Sequence, residues 1–182
     1  GPIDAIVVAP AGPPPGATAP VGWEQVLAEH RGIVEHLHTD AAWARAATEY
    51  AAGAGRGVRL VTLTDAVTTG GRSRAQAAAQ LARAAAGATE GRVTAFAASI
   101  EASEVAAGPP VGVLVAHLLG EPEATALAGA ELVVGDGWLG LRSHPRPIGS
   151  ITYGGPAVPD WLDATLREVL TGDGHQPAME PR

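Results

Sequence analysis

The sequence predicts an α/β fold, a doubly wound parallel sheet of about four strands with helices on both faces. Three observations predict it. Short apolar, β-branched runs recur at Ile3–Ala9, Val58–Leu63, Arg92–Ala98 and Ala130–Val134. Between them lie segments with apolar residues at helical spacing, long enough to serve as crossovers. Strand alternating with helix at this spacing means parallel pairing, and strand twist favours right-handed crossovers.

The first strand, Ile3–Ala9, gives way to PAGPPPGATAPVG (Pro10–Gly22), a loop because proline lacks the amide donor and fixes φ. Trp23–Ala52 carries Trp23, Val26, Leu27, Ile33, Val34, Leu37 and Trp43 at helical spacing and reads as one long helix, with an irregularity expected near Gly32 or Thr39-Asp40. Glycines from Gly53 to Gly57 end it. The second strand, Val58–Leu63, leads through Thr64-Asp65 and a glycine-bearing turn into a second helix, Ser73–Gly87. Gly91 turns the chain into the third strand, Arg92–Ala98. A break at Gly108-Pro109-Pro110 is expected before a third helix, Val111–Leu119. Ala130–Val134 is the fourth strand, closed by a Gly135-Asp136-Gly137 turn. A long loop (Leu141–Pro159) and an amphipathic helix (Asp160–Leu170) follow. Residues 1–171 read as one domain, and the polar, proline-bearing 172–182 as a disordered tail.

Composition bounds the function. The chain has 182 residues, no cysteine and a formal charge of −7. Disulfides and thiolate chemistry are excluded, and nucleic acid or an anionic membrane is not the expected partner. No apolar run approaches the roughly 20 residues of a membrane span, so a cytoplasmic protein is expected. All 12 basic residues are arginine, so no lysine serves as a base or lowers a neighbour's pKa. A charged fraction of 17% leaves room for oligomer interfaces.

The order of segments resembles one family. GPIDAIVVAPAG is similar to the GPIDxLVNNAG strand of short-chain dehydrogenase/reductases, and WEQVLAEHRGIVEHL to their WxxVxxVNLxGxF helix. VRLVTLTD resembles GRIVNISS, RVTAFAAS resembles RVNAVAPG, and VGVLVAHLLGEPEATALAGAELVVGDGW resembles the closing helix, strand and turn. The match runs from Gly1 to about Trp138, and 3-oxoacyl-carrier-protein reductases and polyketide ketoreductases are nearest in style. The resemblance implies a Rossmann-like sheet that here lacks the first βαβ unit, which in the family carries the G-x-x-x-G-x-G turn for the dinucleotide pyrophosphate.

The same resemblance marks what is missing. The family's catalytic asparagine falls on His30 and its serine on Asp65, preceded by Thr64. The Y-x-x-x-K window, about Thr68 to Gln76, holds Thr68, Thr69, Arg72, Ser73 and Arg74. The only tyrosines are Tyr50 and Tyr153, outside it, and the lysine that lowers a phenol's pKa has no counterpart. His30, Thr64, Asp65 and Arg72 are therefore the vestigial site. Two readings fit His30 and Asp65: a general-base dyad, or a helix histidine bonded to backbone and an aspartate capping the next turn.

The expected role is a non-catalytic, short-chain-dehydrogenase-like subunit of a reductase-type assembly, homo- or hetero-oligomeric, without a cofactor of its own. The alternatives are an NADP-dependent ketoreductase whose nucleotide-binding half lies in another chain or an upstream segment, a new chemistry at His30, Asp65 and Arg72, or a small-molecule binding module. His36 and His38 lie on different helix faces, so no metal site is expected. Arg72 and Arg74 beside Gly70-Gly71 fit either a phosphate seat or a solvated helix start. Trp23, Trp43, Trp138 and Trp161 are expected in the core or an interface. The alanine-rich RAQAAAQLARAAAGA is expected to meet another subunit through Ala78 and Ala82. The first strand, left at an edge, is expected to be covered.

Overall fold

The computed structural model describes residues 1–9, 22–101 and 104–143, together with Trp161 and Ala164. Gly1–Pro145 forms one compact unit and Arg146–Arg182 a second; every element named below belongs to the first. The expected loop at Pro10–Gly22 falls, apart from Gly22, outside the described residues, as do the expected disordered tail and all of the expected last helix but Trp161 and Ala164.

Five strands make one sheet in sequence order: β1 (Ala5–Val8), β2 (Val58–Asp65), β3 (Val93–Ile100), β4 (Glu131–Gly135) and β5 (Trp138–Ser143). The first four run parallel, with Ile6 beside Leu60, Leu60 beside Ala95 and Ala97 beside Glu131. β5 was not expected. It returns antiparallel to β4 across the two residues Asp136-Gly137, with Gly135 opposite Trp138 and Gly137 at φ +74°. Asp-Gly is a strong signal for such a two-residue hairpin, because the turn needs positive φ. Leu141–Ser143, expected to open the long loop, are therefore strand, and the rest of that expected loop lies outside the described residues.

The helices are α1 (Trp23–Glu29), α2 (Ile33–Ala54), α3 (Thr69–Ala88) and α4 (Glu104–Gly120), with a 3-10 turn at Pro122–Leu127. The expected long helix is two, broken at His30-Arg31-Gly32 where Gly32 takes φ +73°. Gly55, at φ +63°, closes α2 in a left-handed cap. α4 runs through Gly108-Pro109-Pro110, where a break was expected. Each proline removes one backbone donor but keeps φ near the helical value. The apolar turns beyond them, through Leu114 and Leu118, pack against the sheet and hold the helix there.

Side chains alternate across the sheet. Val58 and Leu60 of β2, with Val93, Ala95 and Ala97 of β3, face Ala47 and Ala51 of α2 and Ala78, Ala79, Ala82 and Ala85 of α3. Val61, Phe96 and Ala98 face the other way, onto Leu114, Leu118, Ala124, Leu132 and Val134. Helices thus cover both faces. Since the strands step in one direction, the β3–α4–β4 connection has the opposite hand to β2–α3–β3. The expectation that all crossovers are right-handed fails.

Two packing expectations are corrected. Ala78 and Ala82 lie in the chain's own core between α3 and the sheet, because alanine lets that helix approach the strands closely. Of the two places expected for the tryptophans, core or interface, the core is ruled out: Trp23 is 80% exposed, and Trp43, Trp138 and Trp161 are about half exposed. No described helix is long and apolar enough to cross a membrane.

Candidate functional site

The carboxyl ends of β2 and β3, with the turn into α3, are where an open α/β sheet seats a ligand. Here the end of α1 comes down onto that turn. A Cβ on Gly70 would stand 1.9 Å from the Glu29 carbonyl oxygen, and one on Gly71 2.3 Å from that of Asp65. The Gly-Gly pair is thus a close-packing device that lets α1 and the end of β2 touch the start of α3.

That approach places the Glu29 carboxylate on the α3 N-terminus. Glu29 Oε2 accepts from the Thr69 amide at 2.9 Å and from the Thr69 hydroxyl, and Gln25 donates to Oε1 at 2.9 Å. The Thr69 hydroxyl, then Gln25, hold this carboxyl below its ordinary range; the Thr69 and Gly70 amides act in the same direction. Thr68 is the N-cap, its hydroxyl accepting from the Gly71 amide at 3.0 Å. The amides that would hold a phosphate already hold the chain's own acceptors.

The predicted residues come near one another without forming one device. His30 Nδ1 lies 2.7 Å from the Val26 carbonyl oxygen, and Nε2 lies 2.9 Å from Ser73 Oγ. Asp65 Oδ1 accepts from the Val67 amide at 3.1 Å, an Asx turn. No hydrogen bond joins His30 to Asp65 among the described residues. His30 thus bonds backbone through one ring nitrogen and Ser73 through the other, while Asp65 bonds within its own turn. Thr64 is buried in β2 beside Ser99. Arg72 Nε pairs with Glu101 at 3.4 Å, just past β3.

Glu101 also pairs with Arg142 of β5, which reaches the buried Glu131 at 3.3 Å. Arg72, Glu101, Arg142 and Glu131 form a neutral chain of charges that runs from the end of β3 across β5 to the start of β4. Arg74 turns the other way, toward Asp40 on α2, whose carboxyl is raised by burial against the opposing pull of His36 and Arg74. The Arg74 Nε is buried with no hydrogen-bond partner.

A dinucleotide does not fit these residues. Glu29 occupies the amides of the helix start, and Arg72, the cation nearest that turn, is paired with Glu101, so neither is open to a phosphate. Among the described residues, no three His, Asp or Glu side chains gather as metal ligands. Sequence reasoning missed Glu29 and Arg142. Glu29 depends on a long-range helix approach whose only local sign is Gly70-Gly71; Arg142 lies on the unexpected strand.

No family model matches the chain. No curated protein matches it either. Among solved structures, a short chain dehydrogenase from Mycobacterium avium superposes with a TM-score of 0.56 at 23% sequence identity. The match covers 96% of this chain and 64% of that one, so this chain spans less than two thirds of its length. At that identity the likeness shows the fold alone: a partial, Rossmann-like α/β sheet.

Proposed function

We propose that this chain is a non-catalytic, short-chain-dehydrogenase-like subunit that completes or stabilises a reductase-type assembly, in fatty-acid or polyketide metabolism. It pairs with copies of itself or with a related reductase, and binds no nicotinamide cofactor by itself. One observation carries the reading: the helix start beside the vestigial site is occupied by the chain's own Glu29. Reduction of a ketone also needs a proton donor at the strand ends. Tyr50 does not supply it, since its hydroxyl accepts from the Ile3 amide at 2.7 Å, at the opposite end of the sheet.

A second reading, a ketoreductase whose nucleotide-binding half lies in another chain or in an upstream segment, is favoured by the edge position of β1. Two measurements separate them. A fluorescence titration of the isolated chain with NADPH should be flat, and saturable binding would overturn the cofactor-free reading. Light scattering of the chain, alone and mixed with an intact 3-oxoacyl-carrier-protein reductase, should show a species heavier than a monomer in at least one case. A mixed species that gains NADPH turnover favours the second reading, and monomers throughout refute the subunit role.

A further inference from the structure

Ser73 and His30 are joined across two helices in an arrangement that the subunit role does not use. Ser73 Oγ lies 2.9 Å from His30 Nε2, and His30 Nδ1 lies 2.7 Å from the Val26 carbonyl oxygen. A carbonyl only accepts. In the neutral ring, therefore, Nδ1 carries the proton and Nε2 presents its lone pair to the Ser73 hydroxyl, which donates. This is the sequence nucleophile, base, orienting acceptor that takes a proton from a serine as its oxygen attacks.

The pairing is not the ordinary habit of a hydroxyl inside a helix. Such a group usually bonds back to the carbonyl four residues earlier, as Thr39 does to Glu35 and Thr48 to Ala44. The Ser73 hydroxyl instead reaches a histidine at the end of α1, 43 residues away in sequence. Both side chains are partly exposed. The chain contains neither cysteine nor lysine, so an imidazole-activated serine is the strongest acyl acceptor its side chains can offer.

We propose that Ser73 is an acyl-accepting nucleophile with His30 as its base, and that its donor is an activated acyl group, a thioester or a reactive ester. The inference goes beyond the subunit role and does not depend on it. Ser73 Oγ bonds to the donor's carbonyl carbon while its proton passes to His30 Nε2. The tetrahedral intermediate collapses, the C–S or C–O bond to the leaving group breaks, and the proton moves from Nε2 to the departing thiolate or alkoxide. The product is an O-acyl ester on Ser73, with no change of oxidation state. The Thr69, Gly70 and Gly71 amides are satisfied by Glu29 and Thr68, so they do not serve as an oxyanion hole. The expected reaction is therefore stoichiometric acylation and not rapid turnover.

The test treats the full chain with p-nitrophenyl acetate and, separately, with a fluorophosphonate, which bonds phosphorus to the serine oxygen and releases fluoride. Intact mass and peptide mapping should place one adduct on Ser73, with about one equivalent of p-nitrophenolate released. Ser73→Ala, a helix-favouring change checked by its melting curve, should abolish the adduct. His30→Gln should slow labelling about 100-fold, in the range of general-base catalysis. Adducts spread over other serines or the amino terminus, or labelling that ignores His30→Gln, would overturn the proposal. Should His30→Gln unfold, Ser73→Cys supplies the second test. Its iodoacetamide alkylation at pH 6 should run at least about ten-fold faster in the folded chain than in urea, and equal rates would overturn the proposal.

Discussion

Gly70→Ala tests the feature on which the whole site geometry rests. The new methyl carbon would stand 1.9 Å from the Glu29 carbonyl oxygen, 2.5 Å from its carbonyl carbon and 3.1 Å from the His30 amide nitrogen. All three are backbone atoms, so no side-chain rotation relieves the overlap. Restoring a carbon–oxygen contact of about 3.3 Å requires the end of α1 to withdraw by about 1.4 Å, far enough to break the His30–Ser73 bond. Overpacking of this kind costs about 1–3 kcal/mol, and the lost part-buried hydrogen bond about 0.5–1.5 kcal/mol. Alanine returns up to about 1 kcal/mol of helix propensity. The net expectation is a loss of about 2 kcal/mol. Gly87→Ala is the control: it lies in the same helix with no atom within 4 Å of the added carbon, so it should gain about 0.5–1 kcal/mol. Urea unfolding followed by far-ultraviolet circular dichroism measures both. A Gly70→Ala protein no less stable than Gly87→Ala would refute the close approach of α1 to α3.

Ala82→Leu, at a core position 5% exposed, should lower stability by about 2–3 kcal/mol and leave the assembly state seen by light scattering as in the wild type; a variant that dissociates while its monomer keeps the wild-type melting curve would place Ala82 in a subunit interface instead. Asp40→Asn should raise Tm at pH 7 and not at pH 3. Burial lifts the folded carboxyl above its ordinary 3.8, so its charge burdens the fold above that range and the burden goes as pH falls; partial exposure keeps the gain under about 1 kcal/mol. Glu29→Gln should do the reverse. A carboxyl held below its ordinary 4.5 stabilises the fold above that value and loses its contribution as pH falls through the lowered one. The wild type should therefore melt higher than Glu29→Gln at pH 7, with the gap closing in acid; a gap constant with pH would mean that Glu29 is not the cap.

What was legible follows from the range of the interaction. The parallel strands could be read because Leu60, Ala95 and their neighbours are apolar wherever the pleat turns them inward. Gly55 could be read because a helix end in the left-handed region favours glycine. β5 was equally local, announced by Asp136-Gly137, and was missed because the turn was matched to the family's closing loop. α4 was misjudged at Pro109-Pro110, where packing of the later turns overrode a local penalty. At the site, His30 and Asp65 were placed beside the right turn, yet their partners were not legible. Whether His30 meets Asp65 or Ser73 depends on how far α1 slides along α3, which is set by contacts 40 residues apart in sequence.

β1 adds a constraint that the site does not. An edge strand is ordinarily blunted by charge, proline or a bulge, because its outward amides and carbonyls can pair with another chain. In Ala5–Val8 none of these appears, and Val7 is 43% exposed. The nearest charge, Asp4, is paired with Arg56, and the Asp4 carbonyl accepts from the Arg59 amide at 3.0 Å. With the Ile3 amide bonded to Tyr50, these contacts fix the start of the strand against β2 and α2. The edge is therefore pre-formed, so a partner strand would meet an ordered template and avoid much of the entropy of building it. Among the described residues no second strand lies along β1. Under the proposed function, an ordered, uncharged edge, with the amides after β2 already taken by the chain's own acceptors, suits recognition by backbone pairing better than recognition of a small anion. Either proposed reading, a related subunit or a separate nucleotide-binding half, would use that edge by pairing a strand with β1.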